Sequence, residues 1–207
     1  MRRGGHWILG SHVRGLFTCA TIREETQAYP EQVENPEVRR IRPDDWEGSR
    51  RVRLAALLDS SDAYSATYAQ AAALTDQVWI DRALVGSEGS TQATFLVVDN
   101  TPTPRGMVTG LTDLDEPSSC QLVSLWVEPE LRRQGFGLRL TEALTEWATA
   151  QAFDKIHLWV TVGNSPAAQL YQANGFVCTG HTQSLAANPD LNEARYEKRL
   201  RPEPSRH

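Results

Sequence analysis

Cysteine is scarce in this chain. Cys19, Cys120 and Cys178 are its three, odd in number and far apart, which argues against a disulfide framework and against a zinc site. The five histidines show no ligand spacing, so Cys178 and His181 read as strand residues and no metal is expected. Cys120 has no recognisable partner histidine for work as a nucleophile. Long apolar runs are missing too: no stretch reaches about 18 residues, so no membrane-spanning helix is expected. Positive charge is in deficit. A net charge of −5 and a pI near 5.6 speak against general nucleic-acid binding, though they tolerate a cationic substrate. There is no GxSxG elbow, no HExxH, and no P-loop lysine and hydroxyl after Gly137. Internal repeats and low-complexity segments are also absent. A reducing, cytoplasmic setting is the expectation.

With 207 residues and 40% apolar content, the chain can bury one well-formed core. Met1 to Glu37 does not read as part of it. Arg2 and Arg3 followed by Trp7-Ile8-Leu9 suggest a secretory signal, but His12 and Arg14 break the apolar run and Phe17-Thr18-Cys19-Ala20 is a poor cleavage site. Glu24 to Glu37 holds five glutamates and two prolines with almost nothing to bury, as in a disordered extension. One domain is expected over 38–200, with a polar tail over 201–207.

The rest is organised around Leu122 to Gly137, LVSLWVEPELRRQGFG. Leu122 to Val127 is an apolar run relieved only by Ser124, which reads as a strand buried on both faces. Glu128-Pro129-Glu130 stops it, because proline cannot donate to a sheet ladder and restrains the residue before it. Arg132-Arg133-Gln134-Gly135-Phe136-Gly137 follows, then a helical stripe of Leu140, Ala143, Leu144 and Trp147. Strand, glycine-bearing basic loop, helix: that order makes a socket for phosphate. A helix start leaves up to about four N–H groups without partners and carries roughly +0.5 charge. Glycines let an anion approach that backbone, and the arginines add charge.

A second block, Asn164-Ser165-Pro166-Ala167-Ala168-Gln169-Leu170-Tyr171-Gln172-Ala173-Asn174-Gly175-Phe176, follows a strand over Ile156 to Val162. With both blocks in view, the chain resembles the GNAT superfamily of acetyl-CoA-dependent N-acetyltransferases over about Val38 to Leu200. Arg132, Gly135 and Gly137 match that family's [Q/R]xxGx[G/A] pyrophosphate loop, and the second block matches its Asn…Ala…LeuTyr…GlyPhe signature. The resemblance implies an α/β (α+β) fold: a mixed, mostly antiparallel central sheet with a central parallel strand pair and helices on both faces.

The elements read from the residues agree with such a fold. Val38 to Ile41 is a short strand; Pro43-Asp44-Asp45 opens a helix with Trp46, Arg50, Leu54, Leu57 and Leu58 at helical spacing. Further helical zones cover Ser65 to Leu74 and Asp76 to Val85, the latter capped by Thr75 or Asp76. Ala93 to Asp99 and Met107 to Thr112 form antiparallel strands around a proline-rich turn. The strand–helix–strand unit from Leu122 to Val162 should be parallel and right-handed. Asn164 caps the next helix, Gly175 ends it, and Phe176 to Gln183 with Ala194 to Leu200 read as a hairpin around 185–190.

The resemblance also implies roles. Backbone groups of Leu125, Trp126 and Val127 would receive the pantetheine arm much as one strand receives another. Arg132, Arg133, Gln134, Gly135, Phe136, Gly137 and Leu138 would form the pyrophosphate cup, and Asn164 would contact the cofactor. Tyr171, about two turns beyond Asn164 and on the same face, would be the general acid that protonates the departing CoA thiolate. Its phenol, with a reference pKa near 10, suits donation to a thiolate whose acid has a pKa of about 8.5. In the family, helices before the sheet wall the acceptor pocket, which makes Trp46, Tyr64, Tyr68 and Trp79 candidate substrate contacts; core packing is the other reading of them.

The base is less legible. An amine of pKa near 10.4 costs about 4.6 kcal/mol to deprotonate at pH 7. Some members that acetylate protein N-termini use a glutamate in the strand after the phosphate helix; the nearest match here is Thr161. Asp113, Asp115 and Glu116 read either as a solvated acidic turn or as groups that attract the amine or take its proton. Glu128 is the other carboxylate in range. Two readings stay open: an N-acetyltransferase moving acetyl from acetyl-CoA to a primary amine of a small molecule or peptide, by direct attack in a ternary complex; or a catalytically weak CoA-binding regulatory or interaction module. Expected partners are acetyl-CoA and an amine, with no nucleic acid and no membrane, in a monomer or homodimer.

Overall fold

A strand–helix–strand unit dictates the middle of this molecule. In the computed structural model, which describes residues 35–201, strand β4 (Ser119–Val127) leads through the glycine loop into helix α4 (Phe136–Ala150) and strand β5 (Lys155–Thr161). The strands are parallel neighbours, as expected, but only Ser119–Gln121 pair with Lys155–His157. Past those three rungs they part. Leu122 is buried, whereas Val123 to Leu125 are only half-buried, so the expected burial on both faces does not extend along this strand. The reason is the gap, which leaves that stretch facing a cavity.

Around this pair the sheet is antiparallel. Strands β1 (Glu37–Arg40), β2 (Gln92–Val98) and β3 (Gly106–Thr112) lie on one side, and β6 (Val177–Leu185) and β7 (Asn188–Arg199) on the other, in the order β1-β2-β3-β4-β5-β7-β6. Glu37 already belongs to β1; residues 1–34 of the expected extension, and the tail from 202, lie outside the described residues. Between Met107 and Thr109 the register of β3 on β4 shifts, so that two residues of β4 face one of β3. Ser124 sits in this bulge at a φ of 60°, in the left-handed region. The final hairpin is tighter than expected, with Leu185 paired to Asn188 and Pro189 inside β7. Proline is tolerated because β7 meets β5 only from Glu193 onward, so no ladder donor on that side is lost at 189.

Each sheet face carries its own core. On one face, α4 buries Leu140 and Leu144 completely and Trp147 nearly so, against Ala93, Val97, Val108, Ile156 and Leu158. Each such leucine is worth about 1.5–3 kcal/mol. The close approach depends on Gly110, where a Cβ would fall 2.5 Å from Leu144 and 3.1 Å from Trp147. Helix α5 (Ser165–Ala173) seats Tyr171 and, just past its end, Phe176 in the same core. Asn164 Oδ1 accepts from the Ala167 N–H at 3.2 Å, and Gly175 takes a φ of 83°, as the cap and stop readings required.

The other face is covered by α1 (Trp46–Asp59), α2 (Tyr68–Ala72) and α3 (Asp76–Glu88). Helix α1 is rotated from the expected stripe. Val52, Ala56, Leu57 and Ser49 are buried, while Leu58 is 67% exposed. Small residues at 49 and 56 let the helix lie close to its neighbours, and that close packing outweighs the pull of the larger apolar side chains. The zone expected over 65–74 contracts to the five residues of α2, capped by Thr67 in a capping box with Gln70. No helix of the described residues is long and apolar enough to cross a membrane.

Candidate active site

Where β4 and β5 part, a cavity of about 1210 Å³ opens. It runs from the loop before α4, past the ends of both strands, and under α1, α2 and α3.

The loop end is built from backbone. Gly135 precedes α4 at a φ of 86° and a Cβ there would meet nothing within 4 Å. The first N–H groups of α4 therefore face an open cradle, with no capping side chain at Gly135. Gly137 differs: its Cβ position is 3.2 Å from Leu170, so this glycine lets α4 and α5 pack closely. Arg132, Arg133, Gly135, Gly137 and Leu138 line the cavity. Two other loop residues turn elsewhere. Phe136 is buried in the core, and Gln134 Nε2 donates to the Glu130 carbonyl at 2.7 Å.

Arg132 was expected to face an anion, but its guanidinium is already engaged. Nε donates to the Val127 carbonyl at 3.0 Å and Nη2 to Asp59 Oδ2, at the end of α1. The Trp126 indole N–H also donates to Asp59 Oδ2, at 2.9 Å. A bond from Ser60, with help from Trp126 and Arg132, holds the Asp59 carboxyl below the usual carboxylate range despite some burial. Arg132 thus clamps the loop to α1. Arg133 is exposed with a φ of 65°.

Midway lie Leu125, Trp126 and Val127, Asn164 and Tyr171. The Tyr171 ring packs edge-on against Phe176 with centroids 5.6 Å apart. Burial pushes its phenol well above the ordinary value, so it keeps its proton throughout the neutral range. Tyr64 Oη donates to the Leu125 carbonyl at 3.0 Å, and burial pushes that phenol up to about 12.

The acidic turn is somewhere else. The Asp113 N–H bonds the Ser119 carbonyl at 3.0 Å, which fixes the turn at the start of β4, roughly 26 Å of strand before its end. Asp113, Asp115 and Glu116 are not among the lining residues. Asp113 Oδ2 lies 2.7 Å from His157 Nε2, and Glu116 contacts Lys155 at 2.8 Å and Arg195 at 3.1 Å. These acids belong to an ion-pair network. Glu128 pairs with Arg105. Burial, reinforced by Arg195, lowers the His157 pKa although Asp113 opposes it.

Among the described residues, one carboxylate does line the cavity: Glu193, which is 6% exposed. It sits opposite Thr161 in the β5–β7 ladder, so both project from the same sheet face. Gln183 Nε2 donates to its Oε1 at 2.7 Å, and Thr161 Oγ1 donates to the Asp62 carbonyl at 2.6 Å. Glu193 has no signature in the sequence because its place at the cavity rests on strand register. Of the four aromatic candidates, Tyr64 and Trp79 line the cavity; Trp46 packs beside the core and Tyr68 is 41% exposed.

Comparisons with known proteins converge. A family profile described as the Acetyltransferase (GNAT) family matches residues 37–176. An acetyltransferase of that family from Streptococcus pneumoniae superposes with a TM-score of 0.70 at 22% identity, covering 80% of this chain and 99% of that one. The protein yncA of Salmonella typhimurium, solved with its cofactor acetyl-CoA, gives 0.66 at 14%, covering 84% and 98%. The ribosomal-protein-S18-alanine N-acetyltransferase of Escherichia coli gives 0.58 at 14%, covering 84% and 99%. At these identities the likeness is one of fold. Among curated proteins, none matches.

Proposed function

The chain belongs to the GNAT acetyltransferase family, and from that premise we propose that it is an N-acetyltransferase moving acetyl from acetyl-CoA to a primary amine in a ternary complex. The observation that carries this reading is the single cavity in which an open glycine cradle, a buried tyrosine and a buried carboxylate share one lining.

The cradle suits a diphosphate on physical grounds. A Cβ at Gly135 would stand in open space, and the N–H groups of Phe136, Gly137 and Leu138 begin a helix with no side-chain cap. Each charge-assisted bond there contributes about 1.5–3 kcal/mol. When bound, acetyl-CoA supplies an activated thioester carbonyl. Residues of the parted β4, from Leu125 to Val127, would align it, and Asn164 would orient it. The Tyr171 phenol, kept protonated by burial, donates its proton to the leaving sulfur.

Proton removal from the amine is assigned to Glu193, because Asp113, Asp115 and Glu116 are absent from the lining. Its Oε1 accepts from Gln183 Nε2, which holds the carboxylate in place at the cavity wall. The test is thiol release from acetyl-CoA across a panel of amines. Release with at least one amine supports the reading. Saturable acetyl-CoA binding with no release from any amine overturns it and leaves a CoA-binding module.

A further inference from the structure

Among the described residues, the acceptor end of the cavity holds a cation with no ion-pair partner. Helix α1 carries three arginines within four residues, and two of them find partners. Arg50 contacts Asp76 at 2.7 Å, and Arg51 reaches Glu47 at 3.3 Å and the Pro102 carbonyl at 3.0 Å. Arg53 turns inward to the cavity wall instead. Its guanidinium lies over the Tyr64 ring, 4.4 Å from the centroid, and its Nη1 is closed off from solvent with no hydrogen-bond acceptor among the described residues. Burial drags its pKa below the ordinary value, with Arg82 adding repulsion. A guanidinium does not shed its proton in response. A buried charge without a partner is costly, and a binding site is where such a cost is offset by the ligand.

We propose that the acceptor is an amine that also carries a carboxylate, an amino-acid-like molecule, with Arg53 receiving the carboxylate. This rests on the transferase reading above. Stacking on Tyr64 fixes the plane of the guanidinium, and with Nη1 closed off the Nε and Nη2 edge is the fork that matches a carboxylate through two parallel bonds. The charge inventory agrees. Arg53 and Arg82 line this end with Glu193 as the one acid of the lining, a pattern that repels a purely cationic amine and complements a molecule bearing both signs. The overall acidity of the chain, which tolerated a cationic acceptor, is thus a poor guide to the charge inside the cavity.

Four matched compounds test this: an α-amino acid, its carboxamide, the decarboxylated amine and the aminophosphonate analogue. Thiol release with acetyl-CoA gives kcat/KM for each, and calorimetry without the donor gives binding. The acid is expected to exceed its carboxamide by roughly 10- to 100-fold, and Arg53→Gln should bring that ratio to within about threefold. Arg53→Lys, which keeps the charge and loses the fork, should fall between them and serves if the glutamine variant does not fold. A ratio near one in the native protein, or one that survives Arg53→Gln, overturns the inference, as does preference for the phosphonate over the carboxylate. If no amine is acetylated yet the amino acid binds the native protein and not Arg53→Gln, the inference stands and the transferase reading fails. If no carboxylate binds and none is acetylated, the inference fails.

Discussion

The two ends of the cavity are built by different means. At the coenzyme end the surface is main chain: Gly135 open at positive φ, the uncapped start of α4, and a parted strand. At the acceptor end it is long side chains on separate elements, with Arg53 and Arg82 from the helical layer and Glu193 from β7. The contrast teaches where sequence is legible. A backbone site needs particular small residues at fixed spacing, and it leaves a local motif. A side-chain site needs only that distant residues meet, and it leaves none.

The largest expected effect lies where the two ends join. Tyr171→Phe should lower kcat by roughly 10²–10⁴-fold, while CoA still raises the melting temperature. An unchanged rate would remove the tyrosine from the chemistry. Next comes the coenzyme end alone. Gly135→Val, with a branched residue at a φ of 86°, should weaken acetyl-CoA by about 10- to 100-fold through loss of one or two charge-assisted bonds. The KM of the amine should move far less, and a parallel loss at both would erase the distinction between the ends. Glu193→Gln is the counterpart at the other end: about a 10²-fold fall in kcat/KM for the amine, the lower end of what a general base contributes, with acetyl-CoA binding intact by calorimetry.

The smallest effect is one of stability, away from the cavity. Burial holds the His157 pKa below the unfolded value near 6.5. As pH falls below about 6.5, the unfolded chain gains a proton that the folded one resists, so stability drops; above that pH the contribution is complete. His157→Gln should flatten the melting temperature between about pH 5 and pH 6.5, and an unaltered slope would exclude this histidine as its source.

The same contrast explains which features could be read in advance. The strand–loop–helix unit, the Asn164 cap, the Gly175 stop and the parallel pair follow from proline, glycine and asparagine chemistry acting over a few residues. The phase of α1 did not, because Ser49 and Ala56 pack inward by virtue of being small, and apolar spacing favours Leu58. Pro189 concealed the length of β7, since its neighbour strand ends first. The acidic turn drew attention by composition, yet Asp113 and Glu116 answer to His157, Lys155 and Arg195. Glu193 and Arg53 carry no local signature, because register and helix rotation set their positions.

Asp59 gives the two ends a shared fastening. One carboxylate oxygen receives both the Trp126 indole and the Arg132 guanidinium, joining the tip of an acceptor-wall helix to the anion loop. Whatever displacement of that oxygen accompanies filling one end must be felt at the other. Thermodynamic reciprocity then requires the donor to alter acceptor affinity by the same factor as the acceptor alters the donor's. Such coupling would run through a single side chain that lines neither end of the cavity.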